Sequence, residues 1–398
     1  MLNVAIEAST WINRRGYGRF TRELTRALLR AGSGHRFTLV LDSGAAAADD
    51  LPDALRVVVD TGEAVVNAAA SDASRSPRDL WGMSRALSAT AFDVVLFPTL
   101  YSYVPVLSRG HVTVVVHDAM PETMPDLVLG SVKARALWRV KTWLACRRAD
   151  TIATVSQASA EAIRAHLPVG VRDITVLSEG VAQDFTPNRD PHERELIERW
   201  APDRTPYVLY VGGFSPHKRI PALIRAFSDV AVQPAHATLR LVLAGPGDLD
   251  TFRGDHDEIR SALGSLPAAI AARVVLTGFV TDQVLAALYR GAHCVVLPSI
   301  AEGFGLPALE AMASGAPLLA TRSPALVELC DDAAEFFDDV RELPSRLGAV
   351  LADEARRREM RERGPLRAAG YGWDEAARRW LAVMERHRAG SRHALHPC

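Results

Sequence analysis

Short apolar runs rich in β-branched residues recur along the whole chain, and a stretch with helical periodicity follows each of them. Several runs are apolar on both faces, as parallel strands are when helices cover both sides of the sheet. Strands that alternate with helices predict an α/β fold with right-handed crossovers. The expected strands cover residues 2–8, 37–41, 94–97, 112–116, 151–155 and 174–177, and then 207–211, 239–244, 273–277, 294–297 and 317–320.

The length of the chain predicts two domains. The chain has 398 residues. A single hydrophobic core stops growing at roughly 250–300 residues. The segment before Tyr207 is rich in proline and charge, which is typical of a linker. We expect an N-terminal Rossmann-like domain over 1–186, a linker over 187–206, a C-terminal Rossmann-like domain over 207–372, and a helix over 373–398 that packs back toward the first domain.

Composition limits the kinds of binding partner and the cellular compartment that we expect for this chain. The chain has 46 basic and 47 acidic side chains, so no global field attracts nucleic acid or a membrane. The four cysteines form no C-x-x-C pair, which argues against disulfides and structural zinc and favours a reducing cytosol. No apolar run reaches the ~18 residues that a membrane span needs. We therefore expect a cytoplasmic protein, with peripheral contact at the inner membrane face as an open alternative.

Two glutamates bracket a glycine-containing turn after a predicted strand, in the stretch E-G-F-G-L-P-A-L-E over 302–310. Ligands bind beyond the carboxyl ends of strands in open parallel sheets, so this turn lies where a site is expected. The glycines let backbone N–H groups approach an anion, and a helix predicted over 307–314 adds partial positive charge. The carboxylates of Glu302 and Glu310 can accept hydrogen bonds from sugar or ribose hydroxyls. The combination predicts a nucleotide sugar as the ligand.

Lys218 is the next candidate, in V-G-G-F-S-P-H-K-R over 211–219, between a predicted strand and a helix over 220–227. A cation there can neutralise charge that builds on a leaving diphosphate. A solvated basic helix start is the other interpretation. If Lys218 and backbone N–H groups do this work, no metal is needed, and we find no Asp-x-Asp motif suited to hold one.

Two motifs in the first half also follow predicted strands: G-Y-G-R-F-T over 16–21 and H-D over 117–118. Alone, each has a plain structural interpretation, as a tight turn at Gly18 and as a hydrogen-bonded histidine at a strand end. No third Rossmann glycine and no acid suited to a nicotinamide ribose accompany Gly18.

Together these motifs resemble those of retaining glycosyltransferases of the GT-B fold, the family-four group, over nearly the whole chain. The resemblance implies that Glu302 contacts the transferred sugar near the reacting carbon and that Glu310 binds the donor ribose. It also implies that His117 contacts the sugar. The expected catalytic residues are His117, Lys218 and Glu302, and the expected donor contacts are Gly18, Gly213, Lys218, Arg219, Gly278, Phe279, Val280, Gly303, Phe304, Gly305, Leu306 and Glu310.

Three positions depart from the family pattern. Many members have an arginine where Gly213 stands, and asparagine or glycine where Arg219 stands; whether Arg219 supplies the missing charge is open. The family usually has P-N-G-V where this chain has S-E-G-V, so we assign no role to Glu179.

The resemblance implies a two-domain GT-B architecture with an interdomain cleft, the donor in the C-terminal domain and the acceptor in the N-terminal one. It implies metal-independent transfer of a hexosyl group with retention and with no resident cofactor. GDP-mannose is the favoured donor and polysaccharide biosynthesis the favoured context; UDP- and ADP-linked sugars stay open, as does a saccharide, lipid-linked or small-molecule acceptor. The rival interpretations are a GT-B epimerase, a pyridoxal-phosphate phosphorylase and a non-catalytic nucleotide-sugar-binding protein.

A stretch over 131–148 holds six basic and no acidic residues, which raises the question of a membrane. On a helical wheel Val132, Val140 and Trp143 share one side, whereas Trp138 points away among cations. A basic helix with an outward tryptophan suits contact with anionic lipid or a lipid-linked acceptor. A solvated helix with a partly covered tryptophan is the other interpretation.

Overall fold

The computed structural model describes residues 1–13, 16–32, 34–62, 76–89, 92–170, 173–188, 192–202, 205–245 and 256–393, without the side chains of residues 256 and 387–393. The chain divides into two compact units. Unit 1 comprises Met1–Gly180 and Tyr371–Cys398, and unit 2 comprises Val181–Gly370. Parts of the predicted linker, at 189–191 and 203–204, and the end of the predicted last helix, at 394–398, lie outside the described residues.

Strands and helices alternate along both units. The strands are β1 (Asn3–Glu7), β2 (Arg36–Asp42), β3 (Leu55–Val59), β4 (Val94–Phe97), β5 (His111–Val115), β6 (Thr151–Thr154), β7 (Ile174–Val176), β8 (Tyr207–Val211), β9 (Arg240–Ala244), β10 (Val274–Gly278), β11 (Cys294–Leu297), β12 (Leu318–Thr321) and β13 (Glu335–Phe337). The helices are α1 (Gly16–Ala31), α2 (Ser43–Ala46), α3 (Pro77–Leu87), α4 (Met120–Thr123), α5 (Pro125–Val128), α6 (Val132–Arg148), α7 (Gln157–His166), α8 (Glu193–Ile197), α9 (Ile220–Ala231), α10 (His256–Gly264), α11 (Ala268–Ala271), α12 (Asp282–Gly291), α13 (Leu306–Ala313), α14 (Pro324–Cys330), α15 (Leu343–Ala352), α16 (Glu354–Ala368) and α17 (Trp373–His393). Short 3₁₀ turns cover Leu100–Ser102, Pro216–Lys218, Pro234–His236, Asp331–Ala333 and Val340–Glu342.

Unit 1 is built on a seven-stranded sheet. Its strands lie in the order β3-β2-β1-β4-β5-β6-β7, and all neighbours pair in parallel. The direction of strand succession reverses between β1 and β4, where Ala5 pairs with Val95. Loops that leave two such strands diverge, and the crevice beyond their carboxyl ends is where open α/β sheets bind ligands.

The first and last helices of the chain pack together in unit 1. The ring of Phe20 in α1 meets the ring of Trp373 in α17 edge-on, with centroids 5.8 Å apart. Arg30 of α1 also pairs with Asp374 of α17, at 2.7 Å between nitrogen and oxygen. Further along α17, Trp380 is fully buried. Helix α17, from the C-terminal part of the chain, therefore completes the hydrophobic core of unit 1.

Unit 2 is built on a six-stranded sheet with the same kind of reversal. Its strands lie in the order β10-β9-β8-β11-β12-β13, and all neighbours are parallel. The reversal falls between β8 and β11, where Leu209 pairs with Val295. Both residues are fully buried, as expected of central strands covered on both faces. The segments that follow β8 and β11 carry the main candidate site residues.

The structure confirms the predicted α/β class with two Rossmann-like parallel sheets. Two edge strands, β3 and β13, escape prediction from the sequence. Strand β3 is exposed along most of its length, and β13 has three residues, so neither shows a long two-faced apolar run. Within the described ranges, no helix combines the length and apolar character needed to cross a bilayer.

The orientation of α6 contradicts one expectation. Trp138, predicted to point outward, is only 7% exposed. Its indole N–H donates to Glu122 at 2.7 Å, and its ring packs on Tyr101 with centroids 4.9 Å apart. A buried tryptophan needs a partner for its N–H, and Glu122 supplies one. The side of the helix that was predicted to hold Val132, Val140 and Trp143 faces solvent.

A close backbone approach in unit 2 leads to a stability prediction. A Cβ on Gly245, just after β9, would lie 2.3 Å from the carbonyl oxygen of Gly212, just after β8. Gly245→Ala should lower the free energy of unfolding by about 1–3 kcal/mol, because the backbone must shift to admit the methyl group. Gly213→Ala is the matched control, since a Cβ there meets nothing within 4 Å. Equal melting temperatures for the two variants would contradict the prediction.

Candidate active site

Lys218 and Glu302 meet at the point where the strand order of unit 2 reverses. Lys218 ends the 3₁₀ turn after β8, and Glu302 follows the neighbouring strand β11. The lysine Nζ donates to Glu302 Oε1 at 2.6 Å. The two side chains are only 17% and 10% exposed. The fold therefore joins residues 84 positions apart in a largely buried ion pair.

A backbone hydrogen bond fixes the two loops to each other. The N–H of Ile300, in the loop after β11, donates to the carbonyl of His217 at 2.8 Å. The neighbouring turn is tight as well, since the Lys218 N–H donates to the Ser215 carbonyl at 2.8 Å. The positions of the ammonium and the carboxylate are thus set by main-chain contacts as well as by their mutual attraction.

The electrostatics favour the charged form of Glu302. Burial by itself would raise the pKa of this carboxyl group, but the charge of Lys218 and its hydrogen bond oppose burial and leave the pKa lowered. Glu302 is therefore a carboxylate beside an ammonium group at neutral pH. Such a pair presents a cation for phosphate oxygens and an acceptor for hydroxyl groups within one hydrogen-bond length.

The turn between Glu302 and α13 requires glycine at one position. Gly305 has φ 103° and ψ 47°, in the left-handed region that side chains disfavour, and it precedes the first residue of α13. Its carbonyl accepts from the N–H groups of Ala308 and Leu309. The helix begins at Leu306, one residue before the predicted start. The first N–H groups of a helix lack acceptors within it, which suits this end to an anion.

Glu310 lies on α13 and is held by a tyrosine that the sequence analysis did not single out. It is 3% exposed, and its Oε2 accepts a hydrogen bond from the hydroxyl of Tyr289 in α12 at 3.1 Å. Tyr289 is itself fully buried. The carboxylate thus has a fixed orientation inside unit 2. No sequence motif links the two positions, because the contact depends on how α12 packs beside α13.

The remaining predicted donor contacts of unit 2 lie at strand ends. Gly213 is exposed, and its carbonyl accepts from the hydroxyl of Tyr210 at 2.6 Å. Gly278 has φ 70° and ends β10, after an irregularity in its pairing with β9. Phe279, the next residue, is 46% exposed. Phe304 is buried beside Gly305.

Arg219 has an unusual backbone conformation. Its φ of 53° and ψ of 36° place it in the left-handed region, where it precedes the first residue of α9. Asparagine enters this region more readily than arginine does, which matches the residues expected at this position. The hydrogen bonds from Arg341 are the main cause of the lowered pKa of Asp339, and the charge of Arg219 is the smallest cause.

His117 of unit 1 is largely enclosed by protein groups, and its side chain is 12% exposed. Its Nε2 lies 2.9 Å from the carbonyl of Pro98, which can only accept, so this nitrogen carries a proton. Its Nδ1 lies 3.5 Å from Glu179 Oε1. The Phe20 ring packs on the imidazole at right angles, with centroids 4.7 Å apart. Both ring nitrogens thus face acceptors.

Glu179, to which the sequence analysis assigned no role, favours the charged form of His117. Burial by itself would lower the pKa of His117, but the hydrogen bond and charge of Glu179, with the Pro98 carbonyl, leave the pKa raised. Glu179 is 5% exposed and follows β7, whereas His117 follows β5. The signal in the sequence was a glutamate at a position where the family usually has asparagine.

Gly18 has a structural explanation that needs no ligand. It lies in the first turn of α1, and a Cβ there would approach the carbonyl oxygen of Asn13 to 2.0 Å. Any side chain at this position would force the backbone apart. Whether the donor also approaches this turn stays a prediction.

Comparisons with known proteins assign the chain to a family. A family model described as Glycosyltransferase Family 4 matches residues 14–185, and one described as Glycosyl transferases group 1 matches residues 205–353. The chain belongs to the family-four GT-B glycosyltransferases. The Lys218–Glu302 pair and α13 lie inside the second match, and His117 and Glu179 lie inside the first.

Relatives and solved structures agree with this family. The serotype-specific mannosyltransferase WbdA of Escherichia coli is 27% identical over 393 residues, which are 91% of this chain and 45% of WbdA. The chain spans less than half the length of the first curated relatives it matches. Sucrose-phosphate synthase from Thermosynechococcus elongatus superposes with a TM-score of 0.76 at 18% identity, over 98% of this chain and 100% of that one. Anabaena Alr3699/HepE, in complex with UDP and glucose, does so with a TM-score of 0.73 at 16% identity, over 97% and 100%.

The contact between His117 and Glu179 in unit 1 gives a prediction of how stability depends on pH. In Glu179→Gln, burial is no longer opposed by the carboxylate charge, so the pKa of His117 should fall. The free-energy advantage of the wild type over the variant should be largest below the ordinary histidine pKa of about 6.5 and should shrink as pH rises through the raised pKa. NMR titration of labelled histidine, with the His117 signal assigned by substitution, measures the pKa.

Asp118→Asn is the matched control for that titration, since the charge of Asp118 is the smallest of the causes acting on His117. Its effect on the His117 pKa should be smaller than that of Glu179→Gln. Equal shifts in the two variants would show that Glu179 has no special role.

The backbone of Arg219 gives a second prediction. Arg219→Asn should raise the free energy of unfolding by about 1 kcal/mol, because asparagine adopts the left-handed conformation at lower cost. Arg219→Gln removes the same charge but keeps the conformational cost, so its melting temperature should not rise. Thermal melts of the three proteins decide the point, and a rise in both variants would assign the effect to charge.

Proposed function

We propose that this chain is a retaining glycosyltransferase that moves a hexosyl group from a nucleotide diphosphate sugar to a hydroxyl group of an acceptor. The observation that carries the proposal is the buried pair of Lys218 and Glu302 at the strand reversal of unit 2. The N-terminus of α13 begins four residues after Glu302. Cation, carboxylate and helix N–H groups are the three partners that a diphosphate linked to a sugar requires.

In the proposed mechanism Lys218 stabilises the leaving group. Negative charge grows on the diphosphate as the bond to the sugar breaks, and a lysine already fixed by main-chain contacts needs little reorganisation to meet it. With the N–H groups at Leu306, Lys218 supplies the charge stabilisation that the transfer needs, so the proposed reaction is metal-independent and uses no resident cofactor.

Glu302 acts on the sugar in this proposal. Its carboxylate is ionised, and it can accept hydrogen bonds from sugar hydroxyls near the reacting carbon. Departure of the nucleoside diphosphate leaves an oxocarbenium-like sugar, and the acceptor hydroxyl attacks from the face that the diphosphate leaves. Attack from that face gives retention, and the departing phosphate takes the acceptor proton. Family membership supports this sequence of steps.

Glu310 and His117 have supporting roles. Tyr289 holds the carboxylate of Glu310 in one orientation, which suits a residue that accepts hydrogen bonds from the donor ribose. His117 is the proposed sugar contact of unit 1, where we also place the acceptor.

We propose that the transferred sugar is a mannosyl group from GDP-mannose and that the product enters polysaccharide biosynthesis. The name of the WbdA relative supports mannose. The Anabaena structure is a complex with UDP and glucose, so a UDP-linked sugar is the alternative that an experiment must separate. Saccharide, lipid-linked and small-molecule acceptors are all compatible with the proposal.

A panel of GDP, UDP, ADP and dTDP tests the donor. One nucleotide should raise the melting temperature well above the others, with about 2.7 kcal/mol of stabilisation at a hundredfold excess over its Kd. GDP is the expected one. A chain that no nucleotide stabilises would overturn the proposal. A nucleotide sugar that is bound but isomerised without an acceptor, or only bound, would replace the proposal with an epimerase or a binding protein.

Substitutions in unit 2 then test the assigned roles. Lys218→Met should lower kcat by about 10²–10³, because it removes charge stabilisation that grows in the transition state. Glu310→Gln should mainly raise the KM for the donor. Glu342→Gln changes a partly exposed glutamate of the same unit, which pairs with Arg346; it is the control and should leave both constants unchanged. Steady-state kinetics with the selected donor measure all three, and unchanged kinetics in the first two variants would contradict the assignment.

A further inference from the structure

Strand β3 is the edge of the sheet in unit 1, and most of its side chains are in solvent. In the part of the chain that the structure describes, β3 pairs with β2 alone. Leu55 is 53% exposed, Val57 37% and Val58 53%. An edge strand presents N–H and C=O groups to a further strand, and proteins usually protect such edges. This exposed, valine-rich edge is therefore suited to pairing with another strand.

The outer side of the β3 backbone can be assigned from one contact. The Ser43 hydroxyl, just after β2, lies 3.4 Å from the Val59 carbonyl oxygen, so this carbonyl points toward β2. Successive residues of a strand direct their backbone N–H and C=O groups to opposite sides of the strand. The backbone groups of Arg56 and Val58 therefore point away from β2, toward the solvent beyond the edge of the sheet.

The charges of this edge are complementary to themselves. The segment 56–60 reads R-V-V-V-D, so an exposed cation and an exposed anion flank three valines. If a second copy lies antiparallel across the edge with the two Val58 residues opposite each other, each Arg56 lies opposite an Asp60. Opposite charges at directly facing positions of antiparallel strands attract, since their Cβ atoms are about 5 Å apart. The same segment thus supplies both halves of an interface.

We propose that two copies of this chain form a dimer by pairing their β3 strands antiparallel, with a twofold axis at Val58. A twofold interface uses the same surface of each copy and must be complementary to itself. At this register the outward backbone groups of Arg56 and Val58 are in the positions that exchange main-chain hydrogen bonds. Val57 lies opposite Val59, so apolar side chains meet on the other face of the extended sheet.

Helix α3 enlarges the proposed interface. A Cβ on Gly82 of α3 would lie 2.9 Å from Val59 Cγ1, so the helix packs directly on β3. Trp81, the residue before Gly82, is 64% exposed. The Arg85 guanidinium lies over the Trp81 ring, 5.4 Å from its centroid. Aromatic residues and arginine are enriched in protein–protein interfaces. The helix that covers the edge strand therefore presents a side chain suited to the same interface.

Charge and position both fit a second copy. The exposed edge carries one cation and one anion, which matches an identical edge better than a nucleic acid or an anionic membrane. Strands β2 and β1 lie between β3 and the crevice beside β4, at about 4.8 Å per strand. Pairing at β3 therefore leaves that crevice open. The proposal goes beyond the proposed glycosyl transfer, because pairing needs neither donor nor acceptor.

Sedimentation velocity over a concentration series tests the proposal. The wild type should change from monomer to dimer as its concentration rises. Arg56→Asp should weaken dimerisation about tenfold or more, because twofold symmetry replaces attraction by repulsion at two positions. Asp60→Arg should have a similar effect for the same reason. A chain that carries both substitutions should regain most of the lost affinity, since each new aspartate faces a new arginine.

A mixture of the two single variants provides a second test, because each variant supplies the charge that the other lacks. The mixture should form dimers at a concentration at which each variant alone is monomeric. Glu161→Arg is the matched control. It makes the same change of charge as Asp60→Arg, at an exposed position of α7, between β6 and β7 at the opposite end of the sheet. Its dimerisation should equal that of the wild type.

Three outcomes would overturn the proposal: a wild type that stays monomeric throughout the series, a dimer that the charge reversals weaken no more than Glu161→Arg does, and a double variant that does not recover. The single variants should melt at the wild-type temperature under conditions in which all are monomeric, since both side chains are exposed. The test is independent of the proposed activity, because no donor is added. A dimer that transfers no sugar would count against the transferase alone.

Discussion

The hydrogen-bonded ion pair between Lys218 and Glu302 is the interaction on which the proposed chemistry of unit 2 depends. Its two members follow the neighbouring parallel strands β8 and β11, at the point where the order of strands in the sheet changes direction. They meet only because of this change in strand order. Burying two charges is costly unless each has a partner, and here each is the partner of the other. A ligand that carries both anionic and hydroxyl groups can satisfy both residues at once, which gives the pair its value as a binding element.

Unit 1 also encloses a basic side chain beside a glutamate, with His117 and Glu179 as the two residues. His117 and Glu179 also follow strands of one parallel sheet. Burial by itself would lower the pKa of His117, and the hydrogen bond and charge of Glu179 leave that pKa raised. Each unit thus places a glutamate beside a basic side chain at the carboxyl edge of its sheet. In both units main-chain groups complete the arrangement: the Pro98 carbonyl in one and the bond between Ile300 and His217 in the other.

Local signals made part of this structure predictable. The turn and helix around Gly305 were placed to within one residue, because glycine and proline act on their own stretch of backbone. The pairing of His117 with Glu179 was not, since it joins positions far apart whose contact depends on the order of the strands. The direction in which the Trp138 side chain points was predicted wrongly. Apolar residues lie on both sides of α6, so a helical wheel does not show which side packs inward. The contacts of Trp138 with Glu122 and Tyr101 decide it.

The pairing of α1 with α17 has a consequence for synthesis on the ribosome. Unit 2 lies between the two parts of unit 1 in the chain. At roughly 5–20 residues per second, the intervening segment takes roughly ten to forty seconds to emerge. During that interval unit 2 can complete its own sheet. Trp373 has not yet been made, so the side of Phe20 that it packs on in the folded protein is exposed. The half of the chain that is made first is therefore the half that finishes folding last, and its uncovered helix is an exposed apolar surface that a chaperone could bind.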